Sequence, residues 1–398
     1  MHPSSLDTFD AWIRGRFKEI NTLLEDHYFE LENPADVEGE APELKAALVD
    51  EGHAHIAAIA ALPLLHLDAV SGYDLLGSVG LYMAALRRHE LSNPEREDRS
   101  PFPEASALAQ RLAAGLGVAP RFATAHVNLS NLARVGEFKS FTTLPDEILF
   151  IEFNCYGILA YIRAADVLRR IPPLGATHPV AQALFKDAER ALEDVARYNT
   201  ELNERLDVRR FFYSVRPYFK PYRVGRHEYR GANAGDFAAI NEIDLTLGLC
   251  RVGDPVYAAL VLEKMSFMTV EDQMLLQACI RRASLMDEFL AVVEGGRLPP
   301  TVLENVRAFV AVCEAHGRAA AQHHNLLVHR FIEQPAEGLG ERYLKQITAS
   351  GPPLPVLLHS LEGLRDMRLA APRSDLETRF ADLERLRAAC AHDPESRL

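Results

Sequence analysis

The sequence predicts an all-α fold, and three observations carry that expectation. Alanine, leucine, glutamate and arginine dominate the composition, strand-like alternation of apolar and polar residues is nearly absent, and long stretches with helical periodicity begin at proline or capping residues. With 398 residues, 48% hydrophobic and 25% charged, the chain can bury a large core, as one big domain or two that pack closely. No internal repeat or low-complexity tract interrupts it.

A first helix is expected over Leu6–Leu31, with Phe9, Trp12, Ile13, Phe17, Ile20 and Leu24 on one side. Asn33–Pro42 is an acidic loop, Leu44–Leu65 a second helix and Tyr73–His89 a third with a near-continuous apolar face. His53 and His55 straddle the second helix, so they read as surface or core rather than as metal ligands. Ser92–Pro103, rich in charge and proline, is a loop and marks the boundary of an N-terminal helical subdomain, residues 1–100. A larger helical domain, residues 101–350, and a C-terminal linker and helix, residues 351–398, complete the expected organisation. Phe102–Gly117 is a short helix.

Pro145 followed by Asp146 and Glu147 starts a strong helix: proline loses no needed donor there, and the acids face the positive end of the dipole. It stops at Pro172-Pro173. Its stripe of Phe150, Asn154, Gly157, Tyr161 and Ala164 is apolar apart from the amide of Asn154, which must be tied to a neighbouring backbone or aimed into a cavity. Pro179–Leu206 is another long helix. The run Val208–Gly225 then interleaves aromatics with arginines; in this acidic chain it walls a pocket where an arginine meets a carboxylate. Arg216, one turn beyond Phe212, would reach into a cavity lined by Phe211 and Phe212. Tyr229–Asp236 is a glycine-punctuated loop that Asp236 turns into a helix ending at Gly248. Helices over Pro255–Ser266 and Val270–Val293 follow.

The next helix opens at Thr301, with Glu304 at capping-box spacing, and closes at Pro335. One stripe runs Val306, Val310, Cys313, Gly317, Ala320, His324, Leu327, Phe331, so His324 lies in the apolar seam, while His316, His323 and His329 face polar surroundings or the helix edge. Gly317 and Ala320 leave room for a flat group. Taken alone, His324 reads either as a core histidine bonded to a buried carbonyl or as a ligand to a haem iron. After Gly338–Glu341, a tight turn, and the linker Pro352–Pro355, a C-terminal helix over Asp375–Cys390 packs Leu376, Phe380, Leu383 and Leu386 on the body.

Net charge is −13 and the sequence pI about 5.6, which argues against nucleic acid or an anionic membrane as main partner and for small molecules. Cys155, Cys250, Cys279, Cys313 and Cys390 are scattered and odd in number, and no basic, apolar leader opens the chain. A cytoplasmic protein with reduced thiols is expected, and no segment is read as membrane-spanning.

Together these stretches resemble the haem-dependent aromatic oxygenases of the tryptophan and indoleamine 2,3-dioxygenase superfamily, and are most similar to its monodechloroaminopyrrolnitrin synthase branch. The likeness rests on Leu144–Glu147, Val215–Gly225 and Tyr229–Gly231, and extends from about Tyr73 to Leu344. His324–Ile332 follows the His-x-x-x-Val-x-Arg-x-Ile pattern around the proximal ligand of tryptophan dioxygenase, with Val328, Arg330 and Ile332 in register. The resemblance implies an indoleamine dioxygenase-like all-α fold, haem b held through His324 without thioether links, and Arg216 on a substrate carboxylate. It places Phe150, Phe211 and Phe212 around an aromatic ring, puts Asn154 where tryptophan dioxygenase has its distal histidine, and lays Ala234-Gly235 over the substrate. Asn233 replaces a hydroxyl residue there, and the turn that holds the substrate amine reads Gly338-Leu339-Gly340, with no hydroxyl; Glu333 or Glu341 is left to meet an ammonium.

The expected activity is oxygenation of a tryptophan- or indole-like amino acid with O2 or peroxide, by a monomer or homodimer. A non-catalytic haem or aromatic-ligand binder on the same scaffold, and a cofactor-free helical scaffold, are the alternatives.

Overall fold

Ser4 caps the first helix reciprocally: its hydroxyl accepts from the Asp7 amide and the Asp7 carboxylate accepts from the Ser4 amide. In the computed structural model, which describes residues 4–64, 67–134, 136–296, 298–337 and 354–391, that helix spans Ser5–Arg14 and the next Arg16–Phe29. The single helix expected over Leu6–Leu31 is therefore broken at Gly15, whose φ of −119° and ψ of −94° leave the helical region. The stripe survives the break, with Phe9, Trp12, Ile13, Phe17, Ile20 and Leu24 all buried.

Helices at Pro42–Ala60, Ala69–Arg88 and Pro103–Leu116 build the rest of this half. Ala69–Arg88 is central, buried without interruption from Leu75 to Leu86. Gly80 explains how it gets so close to its neighbour: a Cβ there would stand 2.8 Å from the Phe122 backbone. His53 is exposed, and the His55 ring lies 5.3 Å from Trp12 and 5.7 Å from Phe9, an ordinary aromatic contact.

The Pro145–Arg169 helix starts as its sequence dictates, and Glu147 does more than face the dipole. Its buried carboxylate accepts from the amides of Phe141 and Thr142, each at 2.7 Å, and from the Thr142 hydroxyl at 2.5 Å, fixing the entry of the helix. Past Arg170 the chain does not stop; Pro172 and Pro173 fall in the first turn of a further segment, Ile171–Leu174, where proline loses no needed donor. The Pro145–Arg169, Pro179–Arg205 and Pro300–Gln322 helices pack along one another around Ala164, Phe185, Ala191, Val306 and Phe309. Both Ala69–Arg88 and Pro145–Leu174 are long and apolar enough to cross a membrane. In the first, 78% of the apolar window is buried inside the protein.

Several boundaries differ from expectation. The aromatic-arginine run forms a π-helical turn, Phe211–Val215, a 3-10 turn, Arg216–Phe219, and then an antiparallel hairpin of Tyr222–Val224 with His227–Tyr229. Asp236 does not cap the following helix, which spans Ala238–Leu247 from Phe237; Arg230 occupies its carboxylate with two bonds of 2.8 Å. Val270–Val293 is two helices, Val270–Ile280 and Leu285–Glu294, because Ser284 caps the second by accepting from the Asp287 amide. Thr301 and Glu304 form no capping box: the helix begins one residue earlier at Pro300, and Glu304 bonds Arg307 instead. A helix at Leu354–Arg368 occupies part of the expected linker, and the C-terminal helix starts later, at Phe380, and runs to Ala391. Leu383 and Leu386 bury there as expected, but Leu376 precedes the helix and Phe380 is exposed.

Candidate active site

At Gln322 the histidine helix changes character. Residues His323–Glu333 continue as a π-helix, whose wider turn presents more consecutive side chains to one side. Both His323 and His324, with Leu327 and Val328, therefore line a single cleft, whose empty space including its open mouth is about 1060 Å3. Opposite them stand Phe153, Asn154, Gly157, Ile158 and Tyr161 of the Pro145–Arg169 helix. Asn233, Ala234 and Gly235 form a rim, Lys264 comes from the Pro255–Met265 helix, and Leu361, Leu364, Arg365 and Arg368 from Leu354–Arg368.

The imidazoles are the reactive feature of this cleft. His324 Nδ1 is buried and makes no hydrogen bond, and burial lowers the pKa of the ring. Burial holds His323 down to about 4, yet its ring remains exposed; the surface it shows is the cavity wall. Both are thus neutral at pH 7, the form in which imidazole binds a metal. The sequence reading that turned His323 to the helix edge is corrected here, because it assumed a regular 100° step through a segment that is π-helical. His316 faces polar surroundings, as expected, but inside the protein: it is fully buried, its Nε2–H donating at 2.7 Å to Asp244. Gly317 gives no room to a ligand, since a Cβ would meet the Leu369 and Arg368 backbone at 2.9 and 3.0 Å; it lets the segment after Leu354–Arg368 close on the helix. His329 is exposed and bonds Glu333, which is therefore occupied.

Asn154 settles both of its possibilities at once. Its Nδ2 donates to the Phe150 carbonyl at 2.7 Å, one turn back, while the residue lines the cleft. Gly157 beside it has open space where a side chain would stand, so this wall is flat.

The carboxylate-binding half of the expected site lies elsewhere. Phe150 and Phe211 pack with ring centroids 4.9 Å apart, Phe211 meets Phe331 edge-on at 5.7 Å, and Phe212 packs with Ile332 and Leu358. None of Phe150, Phe211, Phe212 and Arg216 lines the His324 cleft; the aromatic cluster abuts the far end of the same π-helix. The Arg216 guanidinium sits 5.4 Å over the Phe212 ring. It forms no hydrogen bond or ion pair among the described residues, and burial brings its pKa down to about 10. Leu339, Gly340 and Glu341 lie outside the described residues.

Beneath the cleft is a buried ionic cluster that the sequence reading missed. Asp244 accepts from Arg368 Nε and Nη2, each at 2.8 Å, from Tyr257 at 3.0 Å and from His316. Burial works to raise the Asp244 pKa, but Arg368 and the hydrogen bonds outweigh it and hold the carboxyl well below its ordinary value. These partners are 13 to 124 residues apart in sequence, so no local spacing announces them. Lys264 was missed as well, although a lysine in the stripe Tyr257, Val261, Lys264 was a readable signal.

A family model described as monodechloroaminopyrrolnitrin synthase PrnB matches residues 4–390. The chain belongs to that family. The resemblance read from its motifs is thereby borne out, and the helical fold agrees with it. Members of the monodechloroaminopyrrolnitrin synthase family are enzymes, oxygenases that depend on haem. Among curated proteins none matches this chain.

For haem, the residues present fit. An orphaned buried imidazole nitrogen, a flat wall at Gly157, many apolar lining residues and the absence of any acidic side chain among the described lining residues are what a dianionic, iron-bearing macrocycle requires.

Proposed function

We propose that this monodechloroaminopyrrolnitrin synthase family member oxygenates a tryptophan- or indole-like aromatic amino acid, using O2 or peroxide at a haem b held by His324. The single observation that carries this is the pair of neutral imidazoles, one with an unpartnered buried nitrogen, in the wall of a cleft that has apolar and cationic linings and no acidic one among the described residues. His324 is preferred as the ligand because it alone stands in register with Val328, Arg330 and Ile332. Haem bound there supplies the oxygen-activating chemistry that no side chain offers.

The chain's own contribution is binding, orientation and exclusion of water. Arg216, a guanidinium with no counter-charge among the described residues, fixes the carboxylate of a substrate that extends beyond the His324 cleft to the aromatic cluster at the far end of the π-helix. Phe150, Phe211 and Phe212 orient the aromatic ring, and Ala234-Gly235 closes over it. Asn154 stands where a distal base would be, but an amide does not titrate, so it moves no proton; with one N–H given to the Phe150 carbonyl it offers its oxygen and its second N–H as hydrogen-bonding groups. Proton traffic then belongs to the substrate, which favours reactions whose own N–H or C–H supplies the proton.

His323 is the rival ligand, favoured by its exposed ring within the cleft. Incubating the haem-loaded ferrous protein with O2, or the ferric protein with peroxide, and a panel of aromatic amino acids, followed by mass spectrometry, tests the function. Addition of one or two oxygen atoms, or a ring rearrangement, supports it. No product from any member of the panel leaves a haem protein without this activity.

A further inference from the structure

Lys264 is a buried ammonium whose structural task does not use up its charge. It comes from the Pro255–Met265 helix into the cleft wall, and its Nζ donates at 2.9 Å to the Gly235 carbonyl. That bond is one of several that pin the rim. Thr124 donates to the Asn233 carbonyl at 2.9 Å, the Asn233 amide donates to Asp236 at 3.0 Å, and the Gly235 amide donates to Asn233 Oδ1 at 3.0 Å. The ammonium has three donors, and Gly235 takes one.

The other cations of the cleft are neutralised. Arg368 is held by both oxygens of Asp244, and Arg365 bonds Asp366 at 2.7 Å and pairs with Glu362 at 3.3 Å. Among the described residues Lys264 has no ion pair, and nearby Asp236 is already engaged by two bonds from Arg230. The lining residues include no aspartate or glutamate. A net positive charge thus stands in an apolar wall, an expensive arrangement unless an anion completes it. Burial lowers the Lys264 pKa to about 8, more than the nearby Asp236 and Asp244 carboxylates, already bonded to Arg230 and Arg368, raise it.

We infer that Lys264 receives a carboxylate of the molecule bound in the His324 cleft, and so couples occupancy of the cleft to the position of the Asn233–Gly235 rim. The inference rests on the proposed function only in the identity of that molecule. Two sources share the chemistry: a propionate of haem, or the carboxylate of the amino-acid substrate, in which case Lys264 takes the place proposed for Arg216.

The test uses Lys264→Gln, which keeps a donor for the Gly235 carbonyl while removing the charge, and Lys264→Arg, which restores the charge. Haem and its dimethyl ester are titrated into the full chain at the Soret band. If a propionate is the partner, Lys264→Gln weakens haem binding on the order of tenfold to a hundredfold, leaves the ester unaffected, and Lys264→Arg recovers most of the loss. If the substrate is the partner, haem binding is unchanged. The thermal shift given by an aromatic amino acid is then lost in Lys264→Gln, while that of its decarboxylated amine persists. Wild-type response of Lys264→Gln to haem and amino acid alike, or equal loss for haem and ester, overturns the inference and leaves Lys264 as a tether for the rim. A wild-type chain that binds neither macrocycle counts against the haem reading itself, and the amino-acid arm still decides Lys264.

Discussion

Replacing Asp244 by alanine is the sharpest perturbation of the frame that holds the cleft. The carboxylate is fully buried and takes two charged hydrogen bonds from Arg368, one bond from His316 and one from Tyr257, tying together four helices. Its removal leaves the Arg368 guanidinium buried with no counter-charge. Breaking a buried pair from one side destabilises by about 3–5 kcal/mol, against about 0–1 kcal/mol for an exposed pair. Equilibrium denaturation of wild type and Asp244→Ala, followed by far-UV circular dichroism, measures the difference. The double variant Asp244→Ala/Arg368→Met removes both charges and should recover much of the loss. The pH dependence has a definite sign. Because the folded pKa lies below the ordinary aspartate value of 3.8, the contribution is complete above about pH 4 and fades as pH falls through the folded pKa. A single-variant loss under about 1 kcal/mol at pH 7, or a double variant no more stable than the single, would refute the reasoning.

Other outcomes follow from the same geometry. Arg216→Ala should weaken a carboxylate-bearing aromatic ligand by roughly 2–5 kcal/mol and spare its decarboxylated analogue, as isothermal titration would show; equal loss makes Arg216 structural. Gly80→Ala, which in an open helix would stabilise by about 1 kcal/mol, should here destabilise by about 1–3 kcal/mol, because its methyl meets the Phe122 backbone; a rise in melting temperature contradicts the close approach. His323 stays neutral when folded down to about pH 4, whereas an unfolded histidine takes up a proton near 6.5. Stability of the chain without haem should therefore decline as pH falls from about 6.5 towards 4, and His323→Gln should flatten that decline in a pH series of melts.

The sequence made the helical frame legible because its signals are local. Pro145-Asp146-Glu147 announces a helix start through donor loss and dipole, and the stripe from Val306 to Phe331 places His324 inward through periodicity alone. What escaped it is either short or distant. The hairpin Tyr222–Tyr229 is three residues a side, too brief for alternation to register, and Pro352, Pro353 and Pro355 concealed the helix that follows them. Gly317 reads as free space from sequence, and only the Leu369 backbone shows what fills it. Neither the π-helix at His323–Glu333 nor the Asp244–Arg368–His316 cluster has a local signature, since one is a register change and the other joins residues far apart along the chain. Arg216 was expected to share the His324 cleft. Instead it sits over the Phe212 ring, outside the cleft lining, and the aromatic cluster reaches the π-helix at Phe331 and Ile332.

Haem titration of the wild type beside His324→Ala, His323→Ala and His324→Ala with added imidazole tests the central claim most directly. The account predicts a Soret band in the wild type and in His323→Ala, its shift or loss in His324→Ala, and its return when free imidazole fills the vacated space. An unchanged band in His324→Ala, or loss confined to His323→Ala, contradicts it.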